Sequence, residues 1–513
     1  MNITHAFFDR CQQFPDKPAI IFEDSAWTYA DVRDHACRAA RVLEELGVKQ
    51  GDRVALLIPN IPEFVYVYFA VQILGAVAVS LNVMLKQNEL RYVLNDCQAG
   101  VVLTVAELAP RIPANLAYPC QVVVIDDAAD LALPRWMAQV QGLSAIAPTL
   151  PDDPAAIVYT SGTTGLPKGA VLSQNNLHFN AQAKHHYCGI QPSDRLILFV
   201  PLFHCFGQNA VMVSGLNAGA TLILHRRFQL EQVIDSISRH QVTMFFGVPT
   251  IYVSMLNAGV PPAMLESIRY YFSAASILHE ATARAWIQQY GIVINEGYGL
   301  TETSPFSSYN HDEDYRFGSI GMPINGVEMK IVDEALNELP HGEKGEIVIK
   351  GPNVMLGYWN ELNQPSSVIK DGWFHSGDIG TMDSQGYFYI IDRIKDMVNV
   401  SGFKVYPSDV ERIIHTHPAV KDVAVYGVSD PLKNEVVYAD IVLHDSAVAT
   451  MEAIHTFCGE NMANYKIPSV ITIVSSIPRN PAGKVLKHVL REEAQRRREQ
   501  SQGARPLGRT AEG

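Results

Sequence analysis

Ala155-Ala-Ile-Val-Tyr159 is an apolar run of strand length, and it leads without a break into Thr160-Ser-Gly-Thr-Thr-Gly-Leu-Pro-Lys-Gly169. A buried strand that ends in such a segment has to turn, because Gly162, Gly165 and Gly169 remove the steric walls that hold a chain extended. The turn presents backbone N–H groups together with the hydroxyls of Thr160, Ser161, Thr163 and Thr164, and Lys168 adds positive charge. Donors and charge gathered on a flexible loop suit a polyphosphate. The loop is not of the Walker A type, since no glycine stands five residues before a Gly-Lys-Ser or Gly-Lys-Thr. A plain Ser/Thr/Gly turn is the competing reading of this segment taken alone.

A similar strand signature recurs at Arg53-Val-Ala-Leu-Leu-Ile58 and alternates with longer helical patterns such as Glu231 to His240. That alternation predicts an α/β architecture. After about residue 318, Gly and Pro recur every few residues, through Gly345-Glu-Ile-Val-Ile-Lys350 and Gly386-Tyr-Phe-Tyr-Ile-Ile391, as expected of short strands in a β-rich subdomain. Further on, a helix is expected from Pro407 to His415, strands at Val420 to Val428 and Val437 to Leu443, and a helix from Thr450 to Met462. The expected organisation is a large N-terminal domain over 1–394 and a small α+β C-terminal domain over 395–495. The tail over 496–513 has almost no apolar residues and should lack structure.

A formal charge of −13 works against nucleic acid or anionic lipid as a partner. Seven scattered cysteines, odd in number and without a C-x-x-C pair, fit neither a disulfide framework nor a zinc site and point to a reducing cytoplasm. The run from Val65 to Leu81 is interrupted by Gln72 and Ser80 and falls short of the roughly 20 residues that span a bilayer. It reads as a buried helix followed by a strand. Met1 to Lys17 carries Asp9 and Asp16 and no apolar core segment, so no signal peptide is expected.

Five more motifs follow the loop in order: Tyr298-Gly-Leu-Thr-Glu302, Trp373-Phe-His-Ser-Gly-Asp378, Asp392-Arg-Ile-Lys-Asp-Met397, Ser401-Gly-Phe-Lys-Val-Tyr-Pro407 and Asn480-Pro-Ala-Gly-Lys-Val-Leu-Lys487. Together, over about residues 7 to 490, the chain resembles the adenylate-forming superfamily of acyl-CoA synthetases, luciferases and peptide-synthetase adenylation domains. The resemblance implies a ligase that uses ATP and Mg²⁺ to activate a carboxylic acid as an acyl-AMP. It then passes the acyl group to the thiol of coenzyme A or of an acyl carrier protein's phosphopantetheine.

By the same resemblance, Thr160, Ser161, Gly162, Thr163, Thr164 and Lys168 hold the β- and γ-phosphates, Thr301 touches the α-phosphate, and Glu302 helps to hold Mg²⁺. Tyr298 lies beneath adenine, Asp378 accepts from the ribose hydroxyls, and Arg393 joins the ribose or phosphate contacts. Lys484 is the implied catalytic lysine, Lys395 the hinge about which the small domain turns, and Gly402 part of the pantetheine channel. Lys404 occupies a position the family varies. Residue type alone gives plainer readings: a core aromatic for Tyr298, a surface charge for Lys484, a helix-start charge for Glu302.

Pro201-Leu-Phe-His-Cys-Phe-Gly207 resembles the family's acyl-pocket motif, with His204 at the carboxylate end of the substrate, although a core histidine is the alternative. Phe203, Phe206, Phe246, Gly247, Val248, Ser273 and Ala274 complete the candidate pocket, and its apolar character suits an alkyl or aryl acid. No Asp stands between Pro201 and Gly219, which counts against an α-amino acid. Ala274 and Ile277 replace a Gly and a Pro common in relatives, which leaves chain length open, and Gln174-Asn175 replaces a His-Arg pair in what is expected to be a structural change. Ligation of a fatty or related apolar acid to coenzyme A is the expectation. Carrier-protein loading, an aryl or other specialised acid, and a nucleotide-binding scaffold without catalysis are the alternatives. Nothing indicates oligomeric state.

Overall fold

The computed structural model describes residues 2–126, 132–161, 167–362, 366–401, 403–430, 434–444, 447, 449–480 and 483–503, with the side chains of 161, 312 and 498–503 left aside. The chain forms two compact units. The first takes Met1–Lys330, Val348–Ser376 and Asp383–Phe388; the second takes Ile331–Ile347, Gly377–Met382 and Tyr389–Gly513.

Two sheets organise the first unit. In the nine-stranded sheet, six neighbours run parallel in the order Ile294–Tyr298, Tyr270–Ser273, Met244–Gly247, Arg195–Leu198, Thr221–Leu224 and Pro18–Phe22, with antiparallel strands at both edges. The inner strands are buried on both faces and read as continuous apolar runs, as parallel strands must. The seven-stranded sheet carries Arg53–Leu57, Val77–Ser80 and Pro154–Ser161 at its centre. Pro154–Ser161 then pairs antiparallel with Pro167–Ser173, so the glycine-rich loop joins two strands of one hairpin.

The long apolar run resolves as expected into a helix, Pro62–Ile73, and a strand, Val77–Ser80. Every helix residue but Glu63 is buried, because a helix that is apolar all round has no face to offer water. No helix among the described residues is long and apolar enough to cross a membrane. Gln174 is fully buried, and its amide accepts from Ile3 N–H at 3.0 Å and donates to Gln72 Oε1 at 2.9 Å, a packing role for the first residue of the Gln174-Asn175 departure.

The β-rich segment after residue 318 is a five-stranded sheet in which Glu328–Val332, Gly345–Lys350, Trp373–Met382 and Ile369–Lys370 follow one another and Phe388–Arg393 flanks Trp373–Met382. In the second unit, Phe403–Val405, Val398–Val400, Asn434–Leu443 and Val420–Asp430 form a further sheet, and Val470–Ile473 pairs with Asn434–Leu443. Along Val420–Asp430 the side chains alternate by face. Val423 and Val425 join the core of Val410, Ile414, Ile454 and Cys458, which includes helices Pro407–Ile414 and Met451–Asn461. Ala424, Tyr426 and Val428 face Leu490 and Ala494 of helix Lys487–Gly503.

Residues 331–347 and 377–382, which include parts of the β-rich strands, group with 389–513 in the second unit. The segment after 496 does not lack structure throughout, because the last helix runs to Gly503. Arg497 Nη2 lies 3.4 Å from buried Asp440 Oδ2, and Arg496 lies 3.8 Å from Glu492 one turn back. Glu, Gln and Arg are good helix formers, so a tethered segment needs few apolar residues to continue a helix. Residues 504–513 lie outside the described residues.

Candidate active site

In the first unit the candidate residues collect at the carboxyl ends of adjacent parallel strands, where open α/β sheets bind ligands. Gly247 is the last residue of its strand and is in register with Ser273, the last of the next, while Tyr298 ends the strand beyond. Tyr298 is 7% exposed, and its carbonyl accepts from Ser307 N–H at 2.8 Å. The chain then makes a tight turn at Thr301–Thr303. Only glycine fits at Gly299, where a Cβ would lie 1.8 Å from Pro305 O.

Glu302 is the hub of a polar cluster drawn from distant segments. Its Oε1 accepts from Tyr358 Oη at 3.0 Å and from Thr160 Oγ1 at 3.4 Å. Lys168 Nζ, paired in the hairpin with Thr160, donates to Glu361 Oε1 at 2.8 Å and sits 4.8 Å from the centre of the Tyr358 ring. The structure thus joins the first motif to the second. Gly162, Thr163 and Thr164 lie outside the described residues, as does the Ser161 side chain. Tyr358 and Glu361 stand outside the expected set, since Gly357-Tyr-Trp-Asn-Glu361 carries no local signal for phosphate chemistry.

The segment after Arg195–Leu198 enters the same neighbourhood. Cys205 Sγ lies 3.5 Å from Thr301 Oγ1, and His204 Nδ1 accepts from Phe206 N–H at 3.2 Å, which puts the hydrogen of a neutral ring on Nε2. Gly207 is required by close approach, since a Cβ there would lie 2.3 Å from Pro201 O. It belongs to a wide π-type turn, Phe206–Val213, a form that often marks functional segments. Phe206 packs 6.0 Å from Phe272, which is 5.8 Å from Phe246. Phe206, Phe246, Val248 and Ser273 are buried, Phe203 is half-buried, and Ala274 N–H donates to Gly247 O at 3.4 Å. Phe272, Phe306 and Lys184 adjoin this wall without having been expected there.

The second unit holds the remaining candidates. Arg393 Nε donates to Asp378 Oδ1 at 2.6 Å, and Asp378 is 3% exposed. Asp392 is buried and accepts from Ser408 N–H at 2.8 Å and Arg393 N–H at 2.7 Å. Burial raises its pKa, against the pull of Lys487. Lys395 lies in the turn Ile394–Asp396, and its pKa is lowered by burial and then by Arg393. Lys484 follows a loop closed by Asn480, whose N–H donates to Lys484 O at 2.8 Å and whose Oδ1 accepts from Lys484 N–H at 2.9 Å. The Lys484 residue is exposed, yet protein crowds its ammonium. Desolvation first, then the charges of Arg393 and Lys395, bring its pKa to about 8, while Asp378 and Asp396 oppose the change. Lys404 forms an exposed pair with Glu334 at 2.8 Å, and Gly402 lies outside the described residues.

Each unit therefore carries a cationic group beside a carboxylate, which is the equipment for binding a phosphate ester and offsetting charge that builds on it. Residues 7–359 match the model of the AMP-binding enzyme family, and residues 409–484 match that of the AMP-binding enzyme C-terminal domain. The chain belongs to the AMP-binding enzyme family. Within that family it is an enzyme of the AMP-forming acid–CoA ligase type. It is 33% identical to a long-chain-fatty-acid–CoA ligase of Bacillus subtilis (strain 168), over 94% of this chain and 93% of that protein. It is 34% identical to a feruloyl-CoA synthase of Amycolatopsis sp, over 94% and 97%. Among solved structures it is similar to ATP-bound MatB from Rhodopseudomonas palustris, with 32% identity, a TM-score of 0.90, and 96% and 99% of the two chains covered. The AMP-binding enzyme fold, a large α/β region and a small C-terminal α+β region, is the one the motifs implied.

Proposed function

We propose that this AMP-binding enzyme joins an acid of largely apolar carbon skeleton, fatty or aryl, to coenzyme A in two steps. A carboxylate oxygen attacks the α-phosphorus of ATP and expels pyrophosphate; the thiol sulfur then attacks the acyl carbonyl and expels AMP. The observation that carries the reading is the cluster of Thr160, Glu302, Tyr358 and Lys168, which brings the glycine-rich hairpin to the Thr301-Glu302 turn. Thr160 and Lys168 hold the terminal phosphates, Thr301 the α-phosphate, and Tyr298 the adenine. Asp378, oriented by Arg393, takes the ribose, and Lys484 stands between the carboxylate and the α-phosphate while the two anions converge.

Glu302 suits Mg²⁺, which takes one or two carboxylates and completes its shell with water and phosphate oxygens. No set of three His, Cys, Asp or Glu among the described residues forms an all-protein cage that would compete with that mode. When bound, the ion would offset phosphate charge. The apolar skeleton is supported by Phe203, Phe206, Phe246 and Phe272 and by the names of the fatty-acid and feruloyl relatives. Seven cysteines, all unpaired, suit a reducing compartment such as the cytoplasm.

The purified chain with ATP, Mg²⁺, coenzyme A and a panel of acids should yield AMP and acyl-CoA in matched amounts. Turnover only with a holo-carrier protein would overturn coenzyme A as acceptor, and no acid-dependent release of pyrophosphate would overturn the ligase reading.

A further inference from the structure

Helix Gln174–Cys188 begins at an N-cap, Ser173, whose Oγ accepts from Asn176 N–H at 3.1 Å, and it carries its one lysine inward. Lys184 is 1% exposed, and among the described residues its Nζ meets no oxygen or nitrogen acceptor, its hydrogen-bonding neighbour being the thiol of Cys188. The nitrogen lies 2.9 Å from the centre of the Phe272 ring, 4.5 Å from that of Phe306 and 5.6 Å from that of Phe246. Phe246 and Phe272 belong to the strands whose carboxyl ends carry Gly247 and Ser273, so the ammonium sits at the wall assigned to the acyl group. Ring faces and one thiol attract an ammonium but leave two of its three N–H donors unmatched. A buried charge with so few hydrogen bonds costs more than ring contacts return.

Two further polar atoms of this wall are unmatched. Asn180, one turn before Lys184, donates from Nδ2 to Phe306 O at 2.9 Å and to Thr303 O at 3.2 Å, but its buried Oδ1 has no partner among the described residues. The same holds for Ser273 Oγ. Cys188, one turn after Lys184, bonds the amine weakly through its sulfur and favours the charged form, but that Sγ also accepts from Tyr270 Oη at 3.1 Å. Burial lowers the Lys184 pKa to about 8, with Cys188 opposing. A core stabilised only by apolar contact would be served by methionine or leucine at this position.

Resting on the ligase reading above, we propose that the acid carries a second acceptor oxygen, a carboxylate or carbonyl remote from the carboxyl that is activated, and that Lys184 Nζ receives it. The skeleton between the two ends stays apolar against Phe206, Phe246 and Phe272. The unmatched donor is then satisfied by substrate, and an acid that lacks the second oxygen leaves it unmatched. A site built to hydrogen-bond a group discriminates strongly against the analogue without it.

The test compares kcat/KM for AMP formation with acids of matched length: plain, ending in a carboxylate, and ending in a carbonyl. The best acceptor-bearing acid should exceed the plain acid by on the order of 10- to 100-fold. Lys184→Met, which keeps the stem and removes the charge, should bring that ratio near one, while Lys184→Arg retains part of the preference. A plain acid that is preferred by the wild type, or a ratio that Lys184→Met leaves unchanged while only raising the melting temperature, would overturn the proposal and leave the ligase reading standing. AMP formation with none of the acids would instead remove the ligase reading and this proposal with it.

Discussion

Arg393 grips the carboxylate of Asp378 with two nitrogens, Nε 2.6 Å from Oδ1 and Nη2 3.4 Å from Oδ2, so the acceptor proposed for the ribose is held in one orientation before nucleotide arrives. Asp378→Ala removes both the acceptor and the partner of Arg393. The KM for ATP should rise by roughly 10- to 100-fold, as expected for loss of a charge-assisted pair of hydrogen bonds. The KM for the acid should change far less. Asp378→Asn keeps one acceptor oxygen and should fall between the two. Initial-rate kinetics with ATP varied decide the matter, and an unchanged ATP dependence would remove the ribose role.

In the proposed reaction Lys484 serves the adenylation step only, since two anions converge there and not in the thiol step. Lys484→Ala should slow acyl-AMP formation by 100-fold or more, on the order of losing one preorganised charge at a transition state. Thioester formation from supplied acyl-AMP should stay within a few-fold of wild type. The lowered pKa adds a sign: the ammonium is charged below about 8 and neutral above it, so adenylation should fall as pH rises through about 8. Lys484→Arg, if active, should carry that limb upward, because a guanidinium stays protonated. Stopped assays of the separate half-reactions from pH 6 to 10 would read both effects, and equal loss in the two half-reactions would reject the assignment.

Lys395 lies between strand Phe388–Arg393 and strand Val398–Val400, in the turn Ile394–Asp396. A hinge must change φ and ψ, and proline fixes φ near −65°. Lys395→Pro should therefore depress thioester formation several-fold more than adenylation. Pre-steady-state measurement of both steps checks this, and equal impairment would place the pivot elsewhere.

Glu296 is 8% exposed and accepts from Tyr315 Oη at 2.7 Å; burial pushes its pKa up from 4.5 to about 8. A carboxyl with a raised folded-state pKa gives its full contribution to stability below the unfolded value and loses it as pH rises through the folded one. Wild-type stability should thus decline between about pH 4.5 and 8 by a contribution that Glu296→Gln lacks. The variant should match wild type near pH 4.5 and melt several degrees higher near pH 8.5, on the order of a few kcal/mol at about 1.4 kcal/mol per pKa unit. Thermal melts across that range provide the measurement, and parallel curves would show that the carboxyl is not held neutral.

What the sequence determined by itself was local. Apolar runs bounded by turn residues became the strands Pro154–Ser161 and Gly345–Lys350, and the expected helix from Thr450 to Met462 became Met451–Asn461 with Thr450 as its cap. The tertiary structure alone decided which motifs meet. Thr160 reaches Glu302 across 142 residues and Lys168 reaches Glu361 across 193, through strand order and register that no local pattern encodes. The last helix is likewise met at Arg497 by Asp440, 57 residues away. Lys184 is the sharpest case: in sequence it is one more polar residue in a histidine-rich helix, and it becomes a buried cation only because three rings from separate segments close over it. Burial is a property of the packed neighbourhood, so the cation proposed to receive the acid's second oxygen stayed hidden until the rings were in place.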